Sequence, residues 1–124
     1  MKGIDTPQYD QVVLAGKKIA IVVTRWNKFI VDKLLQAATE HLIANGIAES
    51  DIVTIMCPGA YEVPLMCQHV AASKKYDAII TLGAVIRGGT PHFEYVAGEC
   101  SAGVMRVSLD TGLPIAFGVL TVDD

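Results

Sequence analysis

The sequence has little charge and no long apolar run, and each absence excludes a class of protein. The net charge is −3 and the basic residues are scattered, which argues against nucleic acid or an anionic membrane as the main partner. No apolar run approaches the roughly 20 residues of a membrane span, and residues 1–5 lack the apolar core of a secretory signal. We therefore expect a cytoplasmic protein without a nucleic-acid or membrane partner.

Cysteine is also scarce. Cys57, Cys67 and Cys100 are odd in number and widely spaced, so they match neither a zinc-binding pattern nor a disulfide framework. The sequence therefore predicts buried, reduced thiols and no metal site.

Apolar residues are abundant instead. They make up 52% of the 124 residues, while charged residues make up 19%, against about 25% in typical domains. A chain of this length is expected to form one domain. Because a small domain has too much surface to bury so much apolar material by itself, we expect subunit interfaces.

Apolar periodicity predicts four strands that alternate with three helices. The strands are nearly unbroken apolar runs, at 18–24, 51–57, 77–82 and 113–120. The helices show apolar residues at three- and four-residue spacing, over 29–44, 62–73 and 93–109. Ile43 and Leu65 are among the positions predicted to face inward. Residues 1–16 lack a helical period and are predicted to form an extended arm.

This β-α-β-α-β-α-β order predicts an α/β fold with a parallel sheet and right-handed crossovers. In the strand order 2-1-3-4, the first helix covers one face of the sheet and the other two helices cover the opposite face. The face that carries only the first helix is therefore half bare. The sequence ends soon after the fourth strand, at Asp124. We expect either that the chain is shortened or that another subunit covers this face.

The glycine-rich loop after the third strand offers a seat for an anion. Gly88, Gly89 and Thr90 lie between a strand and a helix, where free backbone N–H groups and the positive end of the helix dipole favour phosphate. Arg87 adds a cation, and His92 exchanges a proton near neutral pH. The same residues are also typical of an ordinary turn with a solvated histidine.

The other two strand-to-helix breaks fall at the same carboxyl edge of the sheet, where open α/β sheets bind ligands. Trp26, the only tryptophan, offers a flat surface for a heteroaromatic ring, or else a partly buried anchor. Asn27 either hydrogen-bonds a polar ring edge or caps the following helix. Glu62 either binds the hydroxyl groups of a sugar-like chain or interacts with its helix dipole.

Four motifs occur together between residues 18 and 121. They are Arg25-Trp26-Asn27, Pro58-Gly59-Ala60-Tyr61-Glu62, Gly83-Ala84-Val85-Ile86-Arg87-Gly88-Gly89-Thr90-Pro91-His92-Phe93, and Phe117-Gly118-Val119-Leu120-Thr121. In this order, they closely resemble the 6,7-dimethyl-8-ribityllumazine synthase family of riboflavin biosynthesis. The resemblance implies a flavodoxin-like α/β subunit that forms homopentamers, with sites between neighbouring subunits. In some members, pentamers assemble further into decamers or sixty-subunit shells.

The resemblance also implies a transferase reaction. It joins 5-amino-6-(D-ribitylamino)uracil to L-3,4-dihydroxy-2-butanone 4-phosphate and yields 6,7-dimethyl-8-ribityllumazine, phosphate and water, without metal or organic cofactor. By position, Trp26 would stack on the pyrimidine, where many members have phenylalanine. The ring and ribityl site would be lined by Ala60, Tyr61 and Glu62. The pyrimidine edge would be held by backbone groups of Ala84, Val85 and Ile86.

The resemblance implies roles for four further residues. Gly89 and Thr90 would bind the phosphate, His92 would donate and accept protons, and Phe117 would reach the site of the neighbouring subunit. The family continues beyond its last strand into helices that supply an arginine for the phosphate. Because the sequence ends at Asp124, we identify no residue in this role.

Two alternatives stay open. A non-catalytic flavin- or lumazine-binding protein would keep Trp26 and the phosphate seat but would not need His92. A shell or scaffold subunit would keep the apolar interfaces and carry only a vestigial site.

Overall fold

A computed structural model of the chain describes residues 14–88 and 92–122, apart from the side chains of Phe93 and Val122. Most of the predicted extended arm, residues 1–13, lies outside this part. In the described part, a four-stranded parallel sheet has the order β2-β1-β3-β4. Its strands are β1 (Ile19–Thr24), β2 (Ile52–Cys57), β3 (Ala78–Ile86) and β4 (Ile115–Val122). The predicted fold class and strand order are therefore confirmed.

Three α-helices connect these strands, and short 3₁₀ turns precede β2 and the second helix. The helices are α1 (Lys28–Ala44), α2 (Val63–Ala72) and α3 (His92–Thr111), and the turns span Glu49–Asp51 and Ala60–Glu62. The Asn45-Gly46 pair is typical of a helix end. In the structure α1 ends at Ala44, and Gly46 has a positive φ of 101°.

The sheet separates two apolar clusters. On one face, α1 packs through Val31 against alternate residues of β1 and β3, such as Ile21 and Leu82. On the other face, α2 and α3 pack against the remaining residues of β1, including Val22. All six residues of β1 are buried, because helices cover both of its faces.

The face that α1 covers is only partly protected, as the helix order predicts. Met56 on β2 pairs with Val23, and Leu120 on β4 pairs with Ala84, so that both point to the side of α1. They are nevertheless 58% and 42% exposed. Cover of this face by another subunit stays a prediction.

Two predictions about the helices and one about a strand need correction. Ile43 and Leu65 follow the apolar period but are 43% and 60% exposed, because α1 and α2 each bury a narrower stripe than the sequence suggests. The third strand runs to Ile86 and does not end at Leu82, since β4 continues to pair with it through Gly83 and beyond. The first residues of the predicted glycine loop therefore belong to the sheet.

Candidate functional site

A cleft of about 270 Å³ opens where β1 and β3 end. It is bordered by the end of β1, the segment before α1, the turn before α2, the end of β3 and the start of α3. Its lining residues are Thr24, Trp26, Asn27, Ala60, Ala84, Val85, Ile86, His92 and Val96. Seven residues that the sequence predicted for the site are thus brought together, and Thr24 and Val96 are added.

Unequal strand lengths create this cleft. β3 pairs with β1 only as far as Leu82, whereas it pairs with β4 as far as Ile86. The last part of β3 therefore extends beyond the end of β1, and Ala84–Ile86 line the cleft along that free length. A strand edge of this kind presents backbone N–H and C=O groups in a fixed row, which suits recognition of a planar ring with donors and acceptors.

Trp26 forms one wall of the cleft. Its side chain is 68% exposed, and one edge of the indole lies against Gly59, where an added Cβ would be 3.5 Å from Cδ1 and 3.6 Å from Nε1. The same point is 3.7 Å from Oε1 of Glu62. The indole is therefore anchored at its edge while most of its surface stays available for stacking, and the Glu62 carboxylate lies at the rim beside it.

Asn27 connects the two sides of the cleft. Its backbone is left-handed, with φ 58° and ψ 52°, and its side chain makes no capping hydrogen bond to α1. Nδ2 instead donates to the carbonyl oxygen of Ala84 at 3.4 Å. Asn27 therefore occupies the N-cap position of α1 without a side-chain cap, and its side chain ties the start of α1 to the end of β3.

His92 is the first residue of α3, and its exposed side chain lines the cleft. The N-terminus of α3 thus opens on the same space as the indole, and the first N–H groups of a helix have no intrahelical partner. Arg87 is exposed at the end of β3, and Gly88 follows it with φ 62°. Gly89 and Thr90, the predicted phosphate ligands, lie outside the described residues.

Three other predicted residues do not line the cleft. Tyr61 and Glu62 are exposed on the turn that precedes α2, next to the cleft residue Ala60. Phe117 is 42% exposed and borders a separate groove of about 250 Å³ with Met105 and Leu109 of α3. Its assignment to a neighbouring subunit's site stays a prediction.

A larger cleft, of about 450 Å³, lies at the opposite edge of the sheet. Lys18, Asp51 and Asp77, which precede β1, β2 and β3, line it together with Lys74. None of the predicted site residues is there. Because ligands of open α/β sheets bind at the carboxyl ends of the strands, the smaller cleft is the candidate functional site.

The three cysteines lie behind the cleft in the apolar cluster that also contains Ala60 and Val85. They are buried and free, as predicted. Burial, and then the neighbouring Cys100 thiol, raises the pKa of Cys67 to about 12. Burial also raises the pKa of Cys100 to about 11, and burial followed by the Glu62 carboxylate raises that of Cys57. All three are protonated at neutral pH, so that none is an activated nucleophile.

Metal-binding clusters and membrane-spanning helices are both absent from the described residues. No group of three or more histidine, cysteine or acidic side chains within ranges 14–88 and 92–122 is arranged to hold a metal ion. In the same part of the chain, every helix is too short or too polar to cross a membrane.

Comparison with known families agrees with the arrangement of the cleft. Residues 16–124 match the family model described as 6,7-dimethyl-8-ribityllumazine synthase. The match includes every strand and helix described above, as well as all lining residues of the cleft. The chain therefore belongs to the 6,7-dimethyl-8-ribityllumazine synthase family, which acts in riboflavin biosynthesis.

Proposed function

We propose that this protein catalyses the condensation of 5-amino-6-(D-ribitylamino)uracil with L-3,4-dihydroxy-2-butanone 4-phosphate. The products are 6,7-dimethyl-8-ribityllumazine, phosphate and water, and the reaction takes place in the cytoplasm. The observation that carries this proposal is the lining of one cleft by an exposed indole, a free length of strand and a histidine at a helix N-terminus. Family membership supports the choice of these two substrates.

The pyrimidine ring would bind between Trp26 and the end of β3. The indole lines the cleft, is 68% exposed and is anchored at Gly59, so that it offers a fixed surface for an offset stack. The backbone of Ala84–Ile86 would hydrogen-bond the ring edge. The Asn27 side chain already donates to the Ala84 carbonyl oxygen and so fixes the position of that strand end.

The ribityl chain would extend past the rim of the cleft. Glu62 is exposed there and lies beside the indole, so its carboxylate is placed to accept hydrogen bonds from ribityl hydroxyl groups. Tyr61 is 64% exposed on the same turn. These two side chains fit the outer part of the ligand because they border the cleft without entering its lining.

The phosphate would bind, and protons would be transferred, at the start of α3. Gly89 and Thr90 precede the helix and would hold the phosphate at its N-terminus, where backbone N–H groups and the helix dipole favour an anion. His92 would then assist three successive steps. The 5-amino group forms an imine with the ketone and releases a first water. The phosphate then leaves by elimination, the resulting enol becomes a ketone, and the ribityl-bearing amine closes the ring on that carbonyl with loss of a second water.

We also propose that the site is completed by a neighbouring subunit in a homopentamer. The cleft of about 270 Å³ falls just below the range of about 300–1,000 Å³ that is typical of ligand pockets. Phe117 lies outside it, beside exposed Met105 and Leu109, which are 63% and 76% exposed. An apolar surface of this kind suits contact with a second copy, through which Phe117 would reach that copy's site.

The decisive experiment is to mix the two substrates with the protein and to record the fluorescence of newly formed lumazine. We expect turnover by the wild type and a loss of about 10²–10⁴-fold in kcat for His92→Ala, the range of general acid–base contributions. His69→Ala is the matched control, because His69 is exposed on α2 and does not line the cleft.

Light scattering on the same samples reports assembly, and together with substrate binding and turnover it separates the alternatives. Binding of the pyrimidine without formation of lumazine would favour a non-catalytic binding protein. Assembly without binding would favour a shell subunit with a vestigial site. Unchanged turnover in His92→Ala, with assembly intact, would remove this histidine from the mechanism.

A further inference from the structure

Thr24 ends β1 in an environment that leaves its hydroxyl unpaired. The residue is 2% exposed, and its Oγ1 is the buried side-chain oxygen that has no hydrogen-bond partner in the described part of the chain. Thr81, the other buried polar residue, donates from its hydroxyl to the carbonyl oxygen of Ala116 at 3.0 Å. Burying a hydroxyl without a partner costs free energy, so its presence at Thr24 needs an explanation.

Packing alone does not explain the hydroxyl. The Thr24 side chain fills the space that Gly83 leaves open on β3, since a Cβ added to Gly83 would be 2.7 Å from Oγ1 and 2.8 Å from Cγ2. A valine at position 24 has the same shape and would fill this space without an unpaired oxygen. The structure therefore favours a role for Oγ1 that lies outside the protein core.

The cleft supplies such a role. Thr24 lines it together with Trp26 and Ala84, and so lies beside the place proposed for the planar ring. A threonine hydroxyl both donates and accepts hydrogen bonds, and a pyrimidine carries donors and acceptors around its edge. A step of about 120° about χ1 moves the methyl group into the space that Oγ1 now occupies and turns the hydroxyl away from Gly83.

We infer that Thr24 is a further ligand-binding residue, whose hydroxyl makes a hydrogen bond to the edge of the pyrimidine that stacks on Trp26. This inference rests on the proposed function and extends it. It assigns part of the selectivity for a ring with polar edges to the end of β1, in addition to the backbone of β3. A ring of the same size without donors or acceptors at that edge would leave the hydroxyl unpaired and bind less tightly.

The test is a titration of the full-length protein with 5-amino-6-(D-ribitylamino)uracil alone, followed by calorimetry or by quenching of Trp26 fluorescence. Trp26 is the only tryptophan, so the fluorescence signal reports on this cleft. Thr24→Val removes the hydroxyl and keeps the shape, while Thr24→Ser keeps the hydroxyl. We expect Kd to rise roughly 3- to 10-fold in Thr24→Val, as for one net hydrogen bond, and to stay within about twofold in Thr24→Ser.

Melting temperatures measured without ligand separate a binding role from a structural one. Thr24→Val should melt at or above the wild-type temperature, because the unpaired hydroxyl is gone. Unchanged affinity in Thr24→Val would overturn the inference, as would equal weakening by both variants or a lowered melting temperature in Thr24→Val. If the wild type itself fails to bind the pyrimidine, the proposed function fails first and the inference fails with it.

Discussion

Replacement of Gly83 by alanine tests the packing beneath the cleft directly. The added Cβ would lie 2.7 Å from Oγ1 and 2.8 Å from Cγ2 of Thr24, well inside normal contact distances. Overpacking of this kind destabilises the folded state by about 1–3 kcal/mol. Replacing a glycine within a strand by alanine stabilises it by about 0.5–1 kcal/mol. Gly83→Ala should therefore lower the free energy of unfolding by about 1–2 kcal/mol, or Tm by roughly 3–10 °C.

Urea unfolding and thermal melts of Gly83→Ala, Thr24→Ala, the double variant and one control variant measure this effect. Gly98→Ala is the matched control, because nothing lies within 4 Å of its added Cβ, and a helical Gly→Ala change should stabilise by about 0.5–1 kcal/mol. In Thr24→Ala/Gly83→Ala both clashing atoms are gone and only the contact of 3.3 Å with the Thr24 Cβ remains. The double variant should therefore be more stable than the sum of the single changes. Wild-type stability of Gly83→Ala, or additive effects, would refute the packing argument.

The remaining predictions concern a helix contact, the thiols and the stacking surface. Gly103→Ala should lower the free energy of unfolding by about 1–2 kcal/mol, because its Cβ would be 2.6 Å from Cγ of Pro64 and the overpacking cost exceeds the gain from replacing a helical glycine. Chemical denaturation measures this, and an unchanged midpoint would contradict it. The pKa values of Cys67 and Cys100 in the folded protein, about 12 and about 11, exceed the ordinary value of 9.0. Between these values the folded state keeps protons that the unfolded chain releases, so the free energy of unfolding should fall as pH rises from about 9 to about 12. Urea midpoints at pH 8 and 10.5 test this, and equal midpoints would count against it. Trp26→Ala should weaken pyrimidine binding about 10-fold and Trp26→Phe much less; calorimetry compares them, and equal weakening would exclude ring stacking.

The fold could be predicted from the sequence because its signals are local. Unbroken apolar runs marked the buried strands, and three- and four-residue spacing marked the helices, so that element order and strand order followed from known connection rules. The end of β3 could not be predicted in this way. Gly83 interrupts the apolar run, and only pairing with β4 shows that the strand continues to Ile86.

The site was predictable to the extent that its residues follow strands. Trp26 follows β1 and His92 begins the helix that follows β3, and the parallel sheet brings such positions to one edge. Thr24 was missed because threonine at the end of a strand is ordinary in sequence. Its unpaired hydroxyl becomes visible only when its neighbours in space, such as Gly83, are known.

A crystal structure with 5-amino-6-(D-ribitylamino)uracil bound would test the central claim most directly. The pyrimidine should stack on the Trp26 indole with ring centroids roughly 4.5–7 Å apart, its edge should meet the backbone of Ala84–Ile86, and the 5-amino group should point towards His92. A ring bound at the larger cleft beside Lys18 and Asp77, or one that leaves the indole in solvent, would contradict the claim.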